Sequence, residues 1–278
     1  MKPAADSAIP YIHEIVKRSG ARLLTLHVHP PLVNPMMQPV SWTSTLEQAR
    51  LEEQAQREGL RVTFSELTPV MLFEEGDILT SIAKTVEKYQ IDLIVVGTRG
   101  RTGAGKLLLG STAEGIFRHA SCPVLTVGPN SPIAPAKHQP LREIIYATDF
   151  NREPSKAASY AIALAQEFQA RLTLLHVIPD PKTGELVNAA QLETGAKHLL
   201  GKLLPSGAES WCEPEFIVEH GDVGEKILEM AKNKHADLIV LGVQPESGFP
   251  GAATHLPIAT AHKVVSHAVC PVLTVRNE

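Results

Sequence analysis

The residues best suited to chemistry stand in one run. Gly97, Gly100, Gly103, Gly105 and Gly110 lead into Ser111-Thr112, with Arg99, Arg101 and Lys106 between them. The apolar stretch Leu93–Val96 directly precedes the run, so a strand feeds glycines and then a helix start. Glycine lets successive backbone N–H groups turn inward and approach oxygen atoms without a Cβ in the way. A helix N-terminus adds unpaired N–H groups and a dipole that favours an anion. Ser111-Thr112-Ala113-Glu114 reads as a capping box at that helix start. The chemistry indicated is phosphate binding. The plainer alternative is a glycine-rich turn closed by an ordinary cap.

Other chemistries fit less well. Gly100–Lys106 matches G-x-x-x-x-G-K, but Leu107 stands where a P-loop needs Ser or Thr for Mg²⁺. No G-x-G-x-x-G spans a strand-to-helix turn, which argues against a dinucleotide fingerprint. Twelve histidines are present. His27 and His29 share one side of a strand, yet no third ligand joins them, so no metal site is expected. His255 and His262 have no nucleophile pattern beside them, and no catalytic triad or nucleophile elbow stands out. Cys122, Cys212 and Cys270 are too few for a disulfide framework and lack metal-ligand spacing.

The elements that must position the loop are written twice. Asp92–Gly97 (DLIVVG) recurs as Asp237–Gly242 (DLIVLG), and His119–Val127 (HASCPVLTV) recurs as His267–Val275 (HAVCPVLTV). One α/β unit has been duplicated. In the second copy, strands are expected at Glu143–Ala147, Arg171–Ile178, Phe216–Glu219, Leu238–Gly242 and Val272–Val275. Helices are expected at Ser155–Gln169, Val223–Asn233 and near Ile258–Ser266. Strands alternating with helices predict a parallel sheet covered on both faces, doubly wound and Rossmann-like.

The first copy joins this order at its helix, Ser7–Ser19, followed by a strand at Arg22–His29. Gly76-Asp77 corresponds to Gly221-Asp222, and the third strand precedes Gly76. Residues 31–40 read as loop and 44–58 as a charged outer helix. The expected organisation is a first repeat over 1–128, a proline-rich linker over 129–140, and a second repeat over 141–278.

The 278 residues, 44% apolar and 20% charged, suit two soluble domains with their own cores. A net charge of −4 gives no reason to expect nucleic acid. No run reaches membrane-spanning length and the start does not resemble a signal peptide, so a cytoplasmic location is expected.

With these motifs in place, the chain resembles the universal stress protein family in tandem form. Nucleotide-binding members carry G-x2-G-x9-G-(S/T), and Gly97, Gly100, Gly110 and Ser111 fit that spacing. The resemblance covers both repeats and implies two tandem sheets of strand order 3-2-1-4-5. It implies ATP, with or without Mg²⁺, at the carboxyl ends of strands 1 and 4. Gly97, Arg99, Gly100, Gly110, Ser111 and Thr112 would hold phosphates, with Val28 and Val96 near adenine. It further implies that the last strands, Val124–Val127 and Val272–Val275, pair the repeats as an internal pseudo-dimer; a homodimer is the further assembly considered.

Two departures shape the expectation. The first repeat has no counterpart of strand 1, Glu143–Ala147, nor of Asp149, which matches the family's aspartate at the end of that strand. The second repeat keeps Asp149 but loses the loop: Val243–Gly251 (VQPESGFPG) follows Gly242, and Ile258-Ala259 replaces Gly110-Ser111. Pro245 and Pro250 remove donors, and Glu246 brings like charge, so repeat 2 is expected to bind no nucleotide. A missing central strand would leave buried groups unpaired at about 1–3 kcal/mol each, against a usual total stability of about 5–15 kcal/mol. The expectation is that the native start precedes Met1, or that strands 2 and 4 of repeat 1 close up directly.

The leading reading is an ATP-binding stress or regulatory protein with slow hydrolysis at most, since no general base is evident. The alternative is a tandem scaffold that binds no nucleotide and works through unidentified protein partners. A nucleotidyltransferase or ATP pyrophosphatase ranks last, because H-x-G-H and S-G-G-x-D-S are missing.

Overall fold

The computed structural model describes residues 7–29, 42–98, 110–132, 141–150, 155–180, 188–210, 212–243 and 258–276. It divides into two compact units: Ile9–Ile91, and Asp92–Glu278 together with Met1–Ala8. The cut falls inside the first repeat.

The Ile9–Ile91 unit contains α1 (Ile9–Ser19), β1 (Leu24–His29), α2 (Trp42–Thr63), β2 (Val70–Glu75) and α3 (Ile78–Tyr89). β1 and β2 form a two-stranded parallel sheet in a register running from Leu24–Val70 to His29–Glu75. The charged stretch read as a helix over 44–58 is the centre of α2. Gly76, at φ 138°, turns the chain out of β2, a conformation that glycine alone adopts freely. Asp77 then caps α3: its Oδ1 accepts from the Thr80 N–H at 2.9 Å and the Thr80 hydroxyl at 2.7 Å.

The other unit holds β3 (Ile94–Gly97), α4 (Ser111–His119) and β4 (Val124–Val127) of repeat 1. Repeat 2 follows as β5 (Glu143–Ala147), α5 (Lys156–Phe168), β6 (Arg171–Ile178), α6 (Ala189–Leu203), β7 (Pro214–His220), α7 (Val223–Asn233), β8 (Leu238–Val243), α8 (Ile258–His267) and β9 (Val272–Arg276). These strands make one seven-stranded sheet ordered β3-β4-β9-β8-β5-β6-β7. Within repeat 2 that order is 3-2-1-4-5 read from β7 to β9, all parallel.

β5 is central, paired with β6 on one side and β8 on the other, and all five of its residues are buried. α5 presents Ala157, Ala161 and Ala165 to the sheet, each with no exposed surface. Small side chains at i, i+4 and i+8 let the helix lie close over the strands. Ser155 caps α5 and Gln169 closes it in the left-handed region at φ 49°. The Gly221-Asp222 junction repeats the device of Gly76-Asp77. Gly221 has φ 123°, and Asp222 Oδ1 accepts from the Glu225 N–H at 2.8 Å.

The expectation that strands 2 and 4 of repeat 1 close up is not met. Their counterparts β1 and β3 belong to different sheets. In repeat 2 the equivalent strands β6 and β8 are both paired to β5, hence two strand spacings apart, roughly 10 Å.

The joint between repeats is antiparallel. β4 pairs with β9 in the register Val124–Thr274, Leu125–Leu273, Thr126–Val272. The Thr274 hydroxyl donates to the Val124 carbonyl at 3.2 Å. Asn130 Nδ2 donates to the His267 carbonyl, and Arg276 Nη1 to the His119 carbonyl, each at 3.2 Å.

Candidate functional site

The loop begins where β3 ends. Ile94–Gly97 pair in parallel with Val124–Val127, which carries Val96 and Gly97 to the carboxyl edge of the sheet. Thr98 is buried there and donates twice to the Val127 carbonyl, from its N–H at 3.1 Å and its hydroxyl at 3.3 Å. The exit direction of the chain is therefore fixed. Arg99 and Gly100 fall within 99–109 and lie outside the described residues.

The chain returns at Gly110, whose φ of −63° and ψ of 142° make it the cap of α4. This corrects the capping-box expectation for Ser111-Thr112-Ala113-Glu114. Such a box needs its serine in the extended cap conformation, and here Gly110 occupies that position, which moves Ser111 into the first turn. Glu114, one place off for reaching back, instead pairs with Arg118 at 2.6 Å. Having no side chain, Gly110 makes no cap bond. Gly110, Ser111 and Thr112 are all exposed, and the first N–H groups of a helix have no partner within it. A Cβ placed on Gly110 meets nothing within 4 Å. The opposite face of α4 is anchored by Ala113, Ile116 and Phe117, all buried.

Gly97, Gly110, Ser111 and Thr112 thus border one segment in a single unit, with β3 and α4 both against β4. Val28 belongs to β1 in the Ile9–Ile91 unit. Beside it, the His27 ring lies 4.4 Å from that of His29 and 5.8 Å from Phe73. Burial pushes the His27 pKa down; His29 adds to this and Glu53 opposes it. Among the described residues no group of three or more His, Cys, Asp or Glu could hold a metal ion.

In repeat 2, β8 runs into residues 244–257, outside the described set, and α8 opens at Ile258. The carboxyl end of β5 is well ordered by side chains. His176 Nδ1 lies 2.8 Å from the Thr148 carbonyl, and Phe150, at φ 61°, brings its ring to 4.5 Å from that imidazole. Burial lowers the His176 pKa, with the Thr148 bond and the charge of Asp149 acting against it. With the repeats aligned, His176 is the counterpart of His27, and the Phe150 ring against it was not foreseen from the sequence.

One further cluster escaped the sequence reading. Lys263 on α8 donates to Asp222 Oδ1 at 2.9 Å and Glu225 Oε1 at 3.0 Å, tying α8 to the start of α7. Gly115 holds the matching place in α4 when the repeats are aligned on His119 and His267. That alignment was the signal from which the difference was readable.

Fold and loop together define a duplicated Rossmann-like α/β protein with one retained glycine loop. Comparison with known proteins agrees. The universal stress protein family model matches residues 2–128 and again 140–276. A universal stress protein of Mycolicibacterium smegmatis is 28% identical over 290 residues, covering 98% of this chain and 93% of that one. Another, of Mycobacterium tuberculosis, is 23% identical over 306 residues, with 99% and 92% covered. The crystal structure of a universal stress protein from Archaeoglobus fulgidus matches with a TM-score of 0.70 at 17% identity, covering 100% of this chain and 96% of that chain. The chain belongs to the universal stress protein family and carries the family unit twice. Among the described residues no helix is long and apolar enough to cross a membrane.

Proposed function

We propose that this universal stress protein binds ATP through its first repeat and uses the nucleotide as a conformational ligand in a cytoplasmic regulatory role. The observation that carries the reading is the exposed start of α4 at Gly110–Thr112, whose cap residue Gly110 has no side chain to occupy the helix N–H groups, leaving them for an anion. The spacing of Gly97, Gly100, Gly110 and Ser111 supports it. In this reading Gly97, Arg99, Gly100, Gly110, Ser111 and Thr112 meet phosphates, Val96 lies beside the base, and Mg²⁺ accompanies the phosphates. Repeat 2, over 141–278, binds none; repeat 1, over 1–128, is the ligand-bearing copy.

The test is calorimetry with ATP and Mg²⁺ on wild type and on Gly110→Glu. A Cβ at this position is free of contacts, so the variant changes charge rather than packing. Binding in the wild type that the variant abolishes is the expected result. Heat from neither protein at high concentration overturns the reading and leaves the scaffold alternative. That second reading is favoured by one observation: among the described residues, no strand pairs with β3 on the side away from β4.

A further inference from the structure

One cluster of side chains in the Ile9–Ile91 unit has no part in the glycine loop. β1 carries His27 and His29 two residues apart, so both side chains leave the same face of the strand. Phe73 is the register partner of His27 in parallel β2 and shares that face. The two imidazoles meet edge to face, with centroids 4.4 Å apart and planes at 62°. The Phe73 ring lies 5.8 Å from the first and 6.3 Å from the second. From α2, the Arg57 guanidinium sits over the Phe73 ring at 4.0 Å, and Glu53 holds that guanidinium at 2.7 and 2.9 Å.

Packing alone does not account for this arrangement. His29 Nε2 is buried with no hydrogen-bond partner among the described residues. Buried ring nitrogens ordinarily find one, because an unpaired polar atom inside a protein is costly. In the tautomer that leaves Nε2 unprotonated, the atom carries a lone pair suited to a metal. His27 supplies a second imidazole, and the i, i+2 spacing on a strand makes the pair a chelate. An ion bonded to one nitrogen of each ring at about 2 Å sets those nitrogens about 4 Å apart. Rotation about the broad χ2 torsion brings rings with centroids 4.4 Å apart to that spacing.

The ligand count selects the ion. Among the described residues no third His, Cys, Asp or Glu joins the pair as a metal ligand. Structural zinc takes four ligands, and calcium and magnesium take six or more oxygens. Copper(I), with a filled d shell, is satisfied by two nitrogens in line, and imidazole suits copper. Two carboxylates favour a cation here: Glu53 acts on the charge of His27, and Glu75 is the register partner of His29. We propose that His27 and His29 form a two-coordinate copper(I) site on the α2 side of the β1–β2 sheet. The Phe73 ring keeps one flank apolar. The site is separate from the nucleotide reading and does not depend on it.

The probe is copper(I), added without oxygen in the presence of ascorbate to the full chain carrying Cys122→Ser, which removes the half-buried thiol. Histidine-ring NMR signals are followed through the titration. The His27 and His29 ring nitrogens should shift together and saturate at one copper per chain, with the X-ray absorption edge of a linear two-nitrogen ion. His29→Phe keeps an aromatic ring beside Phe73 and removes the ligand. It should stay folded, as its amide spectrum shows, and lose the copper. His27→Phe should do the same, because a chelate fails with either half. Three results overturn the inference: neither ring shifts at excess copper, the absorption edge reports sulfur ligands, or folded His29→Phe binds as the parent does. Zinc taken up by the pair in preference to copper(I) overturns it as well.

Discussion

Leu125 and Leu273, the same residue in the two copies, are direct partners across the antiparallel β4–β9 ladder. The register places the local two-fold axis between them, so Val124 faces Thr274 and Thr126 faces Val272 symmetrically. The helices above obey the same axis: Glu114 of α4 approaches His262, its counterpart in α8, at 3.8 Å. An isologous contact of this kind is what joins identical subunits in a dimer.

Leu125 and Leu273 are 7% and 4% exposed. Replacing either by alanine should destabilise the Asp92–Glu278 unit by about 2–4 kcal/mol. Because the side chains share one site, the double variant should lose less than the sum. Urea unfolding of the two single variants and the double variant measures both.

The Phe150–His176 contact predicts a pH dependence. The His176 pKa lies below its ordinary 6.5 because of burial. The unfolded chain therefore binds the proton first, so this contribution is complete above about pH 6.5 and declines as pH falls toward the folded value. His27 acts with the same sign. His176→Gln removes the titration, and urea midpoints at pH 7.5 and 5.5 should differ less than in the wild type.

Asp222 holds α7 by its cap and α8 through Lys263. Those bonds push its pKa down, the Glu225 N–H contributing most. The stabilisation is present above the unfolded value near 4 and is lost as pH drops through the lower folded value. Asp222→Ala should cost about 1 kcal/mol at neutral pH, and the difference from wild type should shrink in acid. Thermal melts at pH 7 and pH 3.5 show whether it does.

Burial pushes the Cys270 thiol up to about 12, and raises that of half-buried Cys122 as well. Cys212 is buried. Iodoacetamide at pH 8 should leave Cys270 and Cys212 unmodified in the native protein, with Cys122 slower than a free cysteine. Peptide mass spectrometry after timed quenching reads the three sites separately.

Much of the fold was legible because the strands are unbroken apolar runs. RLTLLHVI became β6 over the residues expected, and the strand expected at Leu238–Gly242 became β8 with one residue more, Val243. β7 begins earlier than Phe216, at Pro214, which an edge strand tolerates at its first position. α6 was not expected, because only Ala196 and Leu200 are buried in Ala189–Leu203, and two residues one turn apart make a faint stripe. At the site, the loop borders were readable from glycine spacing. The cap was not, since a serine followed by T-A-E fits a capping box equally well one position out of step.

The symmetry-related pairing has a consequence for how the copies could diverge. Tethered halves meet at a local concentration that dilution does not alter. A chain that carries its own mate cannot exchange it for an identical one, so the N-terminal copy can keep a loop that the C-terminal copy gives up. Covalent fusion turns an accidental difference between sisters into a permanent division of labour.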